Sequence, residues 1–265
     1  MTSLVLIGIV LIGVQQLLTK EGALIEEKQS ALSACEKIGW PTVKTECQAL
    51  ILKDEKKCDE ILKMFPQGDR IYCYYYLAGI KKDVSVCEGL EESARYGCVA
   101  IANSTIEWCK VASSPVGDTR CYYWLAAFTK NSTICDHLGG YFSNVCKAVI
   151  ERNPTYCEKI GGETTEECFY VMAMLNEDAA LCKKVKNEQA CMNLVNKDVT
   201  KVSCFLDLPD ADICGLIPLL KKDASLCRRF DTMSEEMCNF YVAMRITDAL
   251  PLELVYLDAS YEYVT

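Results

Sequence analysis

The sequence is poor in histidine, a residue that metal sites and acid–base catalysis often need. It has one histidine, His137, in 265 residues, which excludes any site that requires two imidazoles. No two cysteines are closer than Cys182 and Cys191, so zinc ribbons, thioredoxin-type redox pairs and c-type haem attachment are excluded. Nucleophile-elbow, P-loop, dinucleotide-binding and EF-hand patterns are missing as well. We therefore expect no enzymatic activity, no metal and no cofactor.

Positive charge is also in deficit. The 28 Lys and Arg residues face 37 Asp and Glu residues, which gives a formal net charge of −9. A nucleic-acid partner requires a basic surface that neutralises phosphates. We expect no such partner.

Cysteine, in contrast, is abundant. The 18 cysteines all lie between Cys35 and Cys238, a density typical of disulfide scaffolds in oxidising compartments. Taken two at a time, they form nine pairs whose first members recur about every 24 residues, as in a repeat protein. The pairs are Cys35/Cys47, Cys58/Cys73, Cys87/Cys98, Cys109/Cys121, Cys135/Cys146, Cys157/Cys168, Cys182/Cys191, Cys204/Cys214 and Cys227/Cys238.

Each unit has the pattern of a short helix, a loop and a second helix. Apolar residues such as Trp124 and Leu125 follow the second cysteine at helical spacing, and breakers such as Gly139 and Gly140 lie between the two cysteines. Asp or Asn precedes the first cysteine by four residues in six units and by six residues in two, and we expect these residues to be N-caps. They are Asp54, Asp83, Asn131, Asn153, Asp178 and Asp223 in the first group, and Asn103 and Asp198 in the second.

The cysteine pairing follows the units in our preferred scheme. If each disulfide joins the two helices of one unit, all nine pairs close, whereas a shift by one leaves Cys35 and Cys238 unpaired. Spacing alone does not prove connectivity. Each crosslink would contribute about 3 kcal/mol in the chain-entropy model, which would help hairpins this short to fold. The expected fold is an all-α, disulfide-stapled solenoid over residues 35–248.

The recurring pattern D-x-x-x-C-E-x-[IL]…C-[YF]-x-x-[LM]-A resembles the short cysteine-rich helical repeats of archaeal surface proteins. Parts of the pattern occur in Asp83–Leu90, Cys157–Ile160 and Cys168–Ala173. It is also broadly similar to Sel1-like and tetratricopeptide solenoids, although the period is shorter. The resemblance implies a solenoid and an exported, oxidising setting, and it implies no catalytic activity.

Residues 1–34 form a separate hydrophobic N-terminal helix in this scheme. Residues 1–19 carry no charge, and no proline occurs before Pro41, so one helix is expected from about Ser3 to Ile38. A cleavable signal peptide, a helix buried in the repeat core, a membrane anchor and a polymerisation helix are the four alternatives. We rank polymerisation first and anchoring second. The apolar residues concerned are Leu4, Val5, Leu6, Ile7, Ile9, Val10, Leu11, Ile12 and Val14.

A bare hydrophobic N-terminal helix before a surface domain resembles type IV pilin-like subunits. The chain departs from them at Val5, where those proteins have a glutamate. The resemblance implies assembly through the helix.

Two smaller features complete the sequence. Residues 249–265 lie outside the repeats and are rich in strand formers, which predicts either a cap on the last unit or an arm that docks on a neighbouring subunit. Asn103 and Asn131 begin N-x-[ST] sequons, so N-linked glycans are expected on an exported chain.

The sequence thus predicts a non-enzymatic subunit of an extracellular cell-surface filament that polymerises with copies of itself. The alternative is a membrane-anchored helical-repeat module that binds a protein or peptide.

Overall fold

The chain is helical throughout the part that the structure describes. A computed structural model describes residues 22–64, 70–111, 117–162, 164–196, 216–229, 235–251 and 253–254, and these contain no β-strand. The all-α class predicted from the sequence is confirmed for these residues.

The helices follow the cysteine pairs. Helix α1 covers residues 22–36. It is followed by α2 (Pro41–Leu52), α3 (Glu55–Met64), α4 (Arg70–Lys81), α5 (Glu92–Asn103), α6 (Glu107–Val111), α7 (Gly117–Thr129), α8 (Gly140–Glu151), α9 (Thr164–Asn176), α10 (Glu188–Val195), α11 (Leu216–Lys221) and α12 (Glu235–Ile246). In five units the first element is a 3₁₀ helix: Val84–Cys87, Ser132–His137, Pro154–Lys159, Ala179–Lys184 and Ala224–Arg229.

Eight disulfides join the two elements of one unit each, in the pairing that the sequence favoured. Their Cα–Cα distances run from 5.4 Å at Cys182–Cys191 to 5.8 Å at Cys58–Cys73, within the range of ordinary disulfides. The remaining pair, Cys204 and Cys214, lies outside the described residues. The other bonded pairs are Cys35–Cys47, Cys87–Cys98, Cys109–Cys121, Cys135–Cys146, Cys157–Cys168 and Cys227–Cys238.

Aspartate and asparagine side chains begin the first element of most units. The six residues predicted four positions before a cysteine are confirmed as caps, because each side chain accepts a hydrogen bond from the N–H two residues later. The prediction for Asn103 is wrong, since it is the last residue of α5. Asp198 lies outside the described residues.

The first and last described units are in contact, so the predicted solenoid is not confirmed. In a solenoid each repeat contacts only its neighbours in sequence. Here α12 packs against α2, so the last described unit is adjacent to the first. Val43 of α2, Tyr76 of α4 and Phe240 of α12 line one small cavity at this junction. We refer to this arrangement as the closed array.

Aromatic residues of α4 and α7 pack together in the core of the closed array. The Trp124 ring of α7 lies 5.3 Å from Tyr72, 5.2 Å from Tyr75 and 5.3 Å from Tyr76, all on α4. Trp124 is 2% exposed. Gly79 of α4 allows a close approach, since a Cβ there would lie 2.5 Å from the Phe128 ring. These contacts join α4 and α7, which belong to units that are not consecutive.

Helix α1 leaves the array at its N-terminal end. Ala31, Ala34 and Cys35 are buried against the first unit, whereas residues 22–30 are exposed, including Leu24 at 66% and Ile25 at 56%. The predicted assembly residues between Leu4 and Val14 lie outside the described residues.

The chain after α12 turns back over the array. Leu250 and Leu254 are each 1% exposed, and Glu253 is 6% exposed. Residues 253 and 254 are helical, so here the strand-like pattern of the tail did not predict the local structure. This first part of the tail covers the array of its own chain, as a cap does, and residues 255–265 lie outside the described residues.

Candidate functional site

Within the described residues, eight helices are followed by a residue whose backbone is in the left-handed conformation. Each has a φ between 48° and 58° without being glycine. The N–H of the residue after it commonly bonds back to the helix, as from Asp54 to the Ala49 carbonyl (2.9 Å), which is the Schellman arrangement. Five of the eight are basic. We call the set the collar: Lys53, Lys82, Ser104, Lys130, Arg152, Glu177, Lys222 and Asp248.

The choice of basic residues in the collar is not the most stable one for the backbone. A left-handed conformation costs a non-glycine residue about 1–2 kcal/mol, and glycine is the usual residue at this position. The attraction between a cation and the carboxyl end of a helix returns only about 0.3–1 kcal/mol. The extra chain entropy of glycine, about 0.5–1 kcal/mol, offsets most of the remainder. The collar is therefore close to neutral for stability, and its concentration of positive charge makes it a candidate for function.

A cavity of about 570 Å³ opens between the collar and the tail, and we call it the mouth cavity. Its volume is in the range of ligand sites. Lys53, Lys130, Arg152 and Arg245 bring four cationic side chains to its wall. Its apolar wall is formed by residues that include Ile51, Ile80, Phe128 and Leu250. The cavity therefore combines positive charge with an apolar surface.

Two carboxylates at the mouth cavity are already engaged. Asp248 accepts from Arg245 Nη1 at 3.1 Å and pairs with Lys222 at 3.3 Å. Glu253 pairs with Arg152 Nη2 at 3.2 Å.

Lys53 and Lys130 are the other two cationic residues that line the mouth cavity. Both side chains are exposed, and within the described part of the chain neither forms an ion pair. They are the two cations of the cavity best placed to meet an added acidic group.

A second cavity lies where Val43, Tyr72, Tyr76 and Phe240 meet, and it has a volume of about 70 Å³. Arg120 lines it and lies 4.9 Å from the centre of the Tyr72 ring. This volume holds little more than a few water molecules. We therefore regard the mouth cavity as the better candidate site.

The residues that the sequence singled out do not form this site. The disulfides are buried structural links, and Asn131 is an exposed cap at 3.1 Å from the Thr133 nitrogen. Asn103 is exposed at the end of α5. Sequence reasoning missed Lys53, Lys130, Arg152 and Glu253. A signal was present, because a basic residue stands directly before the cap in Lys53-Asp54, Lys82-Asp83, Lys130-Asn131, Arg152-Asn153 and Lys222-Asp223.

Other kinds of site find no support in the described residues. His137 is exposed and stacks on Tyr122, with ring centres 5.2 Å apart. The described ranges hold no group of three His, Cys, Asp or Glu side chains that would suit a metal ion. Among the helices of those ranges, none is both long and apolar enough to cross a membrane.

Comparison of the chain with protein-family models, curated proteins and solved structures gives no match.

Proposed function

We propose that the protein is a non-enzymatic structural subunit of an extracellular cell-surface filament, which assembles through its hydrophobic N-terminal helix and carries the closed array on the outside. The observation that carries the proposal is helix α1. Its residues 22–30 are exposed, and in the sequence they follow the uncharged run of residues 1–19.

Two physical arguments support assembly through this helix. Leu24 and Ile25 are more than half exposed, so packing against copies of the helix would remove apolar surface from water. The disulfides indicate an oxidising environment such as the cell exterior, where covalent crosslinks persist.

Electron microscopy of native material tests the filament proposal. We expect negatively stained filaments from the wild-type chain and loss of filaments in Val10→Lys, which places a charge in the apolar run. Glu188→Lys, on the exposed surface of α10, is the control and should leave filaments intact. Dispersed particles that depend on detergent in the wild type would contradict the proposal.

The alternative function is a membrane-anchored module that binds a protein or peptide, and the mouth cavity is the observation that favours it. In that case the N-terminal run would hold the closed array at a membrane surface. Co-sedimentation of the full chain with lipid vesicles, without filaments in the pellet, would favour this alternative.

A further inference from the structure

We infer that the mouth cavity binds an acidic, leucine-containing peptide segment of another protein. The site is assigned from the cavity itself and does not depend on whether the N-terminal helix polymerises or anchors the chain. It goes beyond the proposed filament role because it adds a recognition surface.

The chain's own tail shows which kind of peptide suits this wall. Leu250 lines the mouth cavity and is 1% exposed, and Leu254 of the same short segment is also 1% exposed. Between them, Glu253 is 6% exposed and pairs with Arg152 at 3.2 Å. A peptide with leucine and glutamate in alternation would make the same two kinds of contact.

Elsewhere in its lining, the mouth cavity again combines cationic and apolar side chains. Lys53 and Lys130 bring two exposed ammonium groups to a wall that also contains Ile51, Ile80 and Phe128. Carboxylates of a bound segment would pair with the lysines, while its leucines would cover the apolar wall. A hydrophilic anion without apolar groups would satisfy only the first requirement, which is why we assign a peptide.

The charge distribution agrees with this ligand class. The whole chain carries a net charge of −9, yet four cations face two carboxylates at this one cavity. The net charge of the chain repels an acidic segment, whereas the cations of the mouth cavity attract it, so electrostatics would favour binding at this cavity.

Peptide binding to the full chain tests the inference. The probe is a fluorescein-labelled peptide Gly-Leu-Glu-Leu-Glu-Leu-Gly, with a counterpart that has Gln in place of Glu, and the readout is fluorescence anisotropy. We expect saturable binding of the acidic peptide with a Kd below about 1 mM and binding of the Gln counterpart that is about tenfold weaker. The double variant Lys53→Gln/Lys130→Gln should bind the acidic peptide about tenfold more weakly than wild type does.

Lys82→Gln is the matched control. Lys82 belongs to the collar with a φ of 52°, but it does not line the mouth cavity, so this variant should bind as wild type does. Equal binding of the two peptides, equal binding by the double variant, or no binding at all would each overturn the inference. Filament formation is scored separately by microscopy, and its loss would leave this result unaffected.

Discussion

Arg152 and Glu253 lie 101 positions apart in the chain, and their side chains form an ion pair at 3.2 Å. Arg152 Nη1 also donates to the Leu175 carbonyl at 3.3 Å, so one guanidinium links α8, the end of α9 and the tail. The side chain of Glu253 is 7% exposed and that of Arg152 is 49% exposed. The tail is thereby fixed to a distant part of the closed array.

Removal of this charge should loosen the tail. We expect Glu253→Gln to lower the free energy of unfolding by about 1 kcal/mol, because a charged hydrogen bond at a buried position is replaced by a neutral one. Urea unfolding without reductant measures the change. The control is Glu158→Gln, whose pair with Lys184 at 3.3 Å has both side chains more than half exposed and should change stability by less than about 0.5 kcal/mol. Equal changes in the two variants would show that burial of Glu253 does not matter.

The collar should tolerate glycine better than other helix ends do. Lys130 has a φ of 53°, so Lys130→Gly relieves about 1–2 kcal/mol of left-handed backbone but loses about 0.5–1 kcal/mol to chain entropy and about 0.3–1 kcal/mol of attraction to the helix end. Its free energy of unfolding should therefore stay within about 0.5 kcal/mol of wild type. Asn196 also follows the end of a helix but has a φ of −77°, so Asn196→Gly gains no such relief and should be destabilising by about 0.5–1 kcal/mol. Urea midpoints of the two variants provide the test, and a larger loss in Lys130→Gly than in Asn196→Gly would mean that the lysine supports the fold.

Local features of this fold could be predicted from the sequence, whereas closure could not. The caps at Asp83 and Asn131 depend on hydrogen bonds to N–H groups two residues away, so short patterns contain the information. Closure depends on the packing of α12 against α2, and other contacts, such as those of Trp124 with Tyr72 and Tyr76, also join units that are not consecutive. A repeat period gives the length of each unit but not the rotation between units.

The mouth cavity could not be predicted from the sequence for the same reason. A basic residue before a cap, as in Lys53-Asp54 and Lys130-Asn131, is visible in the sequence, but a single instance suggests only a favourable helix end. Its meaning changes when closure brings Lys53, Lys130 and Arg152 to one cavity.

Closure of the array makes a prediction about unfolding. Phe240 of α12 is 3% exposed, and together with Val43 of α2 it lines the cavity of about 70 Å³ at which the last and first described units meet. Phe240→Ala should cost about 3–5 kcal/mol and should increase hydrogen exchange in α2 as well as in α12. Phe169→Ala in α9, where Phe169 is 4% exposed, is the control and should increase exchange near α9 first. Unchanged exchange in α2 of the Phe240 variant would indicate that the first and last units do not support each other.

Glycosylation should distinguish the two sequons. Asn131 is exposed, and the Thr133 hydroxyl donates to its Oδ1 at 2.8 Å on the surface. In the other sequon Asn103 belongs to α5 and the Thr105 hydroxyl oxygen is buried. For modification of the folded chain we expect a glycan at Asn131 and none at Asn103. Peptide mapping of native protein measures both sites, with Asn131→Gln as the control that removes the added mass. A glycan at Asn103, or an unmodified Asn131, would contradict the prediction.

The aspartate caps should make stability depend on pH. Hydrogen bonds from the Ser85 N–H and hydroxyl hold the pKa of Asp83 below its ordinary value. The Ser225 hydroxyl and N–H do the same for the pKa of Asp223. A carboxylate whose pKa is lower in the folded chain stabilises it above the unfolded pKa, which is about 4, and the contribution is lost as pH falls through the folded pKa.

Asparagine at the same position provides the test, because Asn131 and Asn153 cap their units in this chain without titrating. The double variant Asp83→Asn/Asp223→Asn should therefore lose less stability than wild type between about pH 5 and pH 2, measured by urea midpoints at each pH. The single variants Asp83→Asn and Asp223→Asn should each have part of the effect of the double variant. The pH-dependent contribution of the two caps exists only because their carboxylates ionise. If the double variant follows the wild-type profile, the prediction is wrong and acid destabilisation arises from other groups.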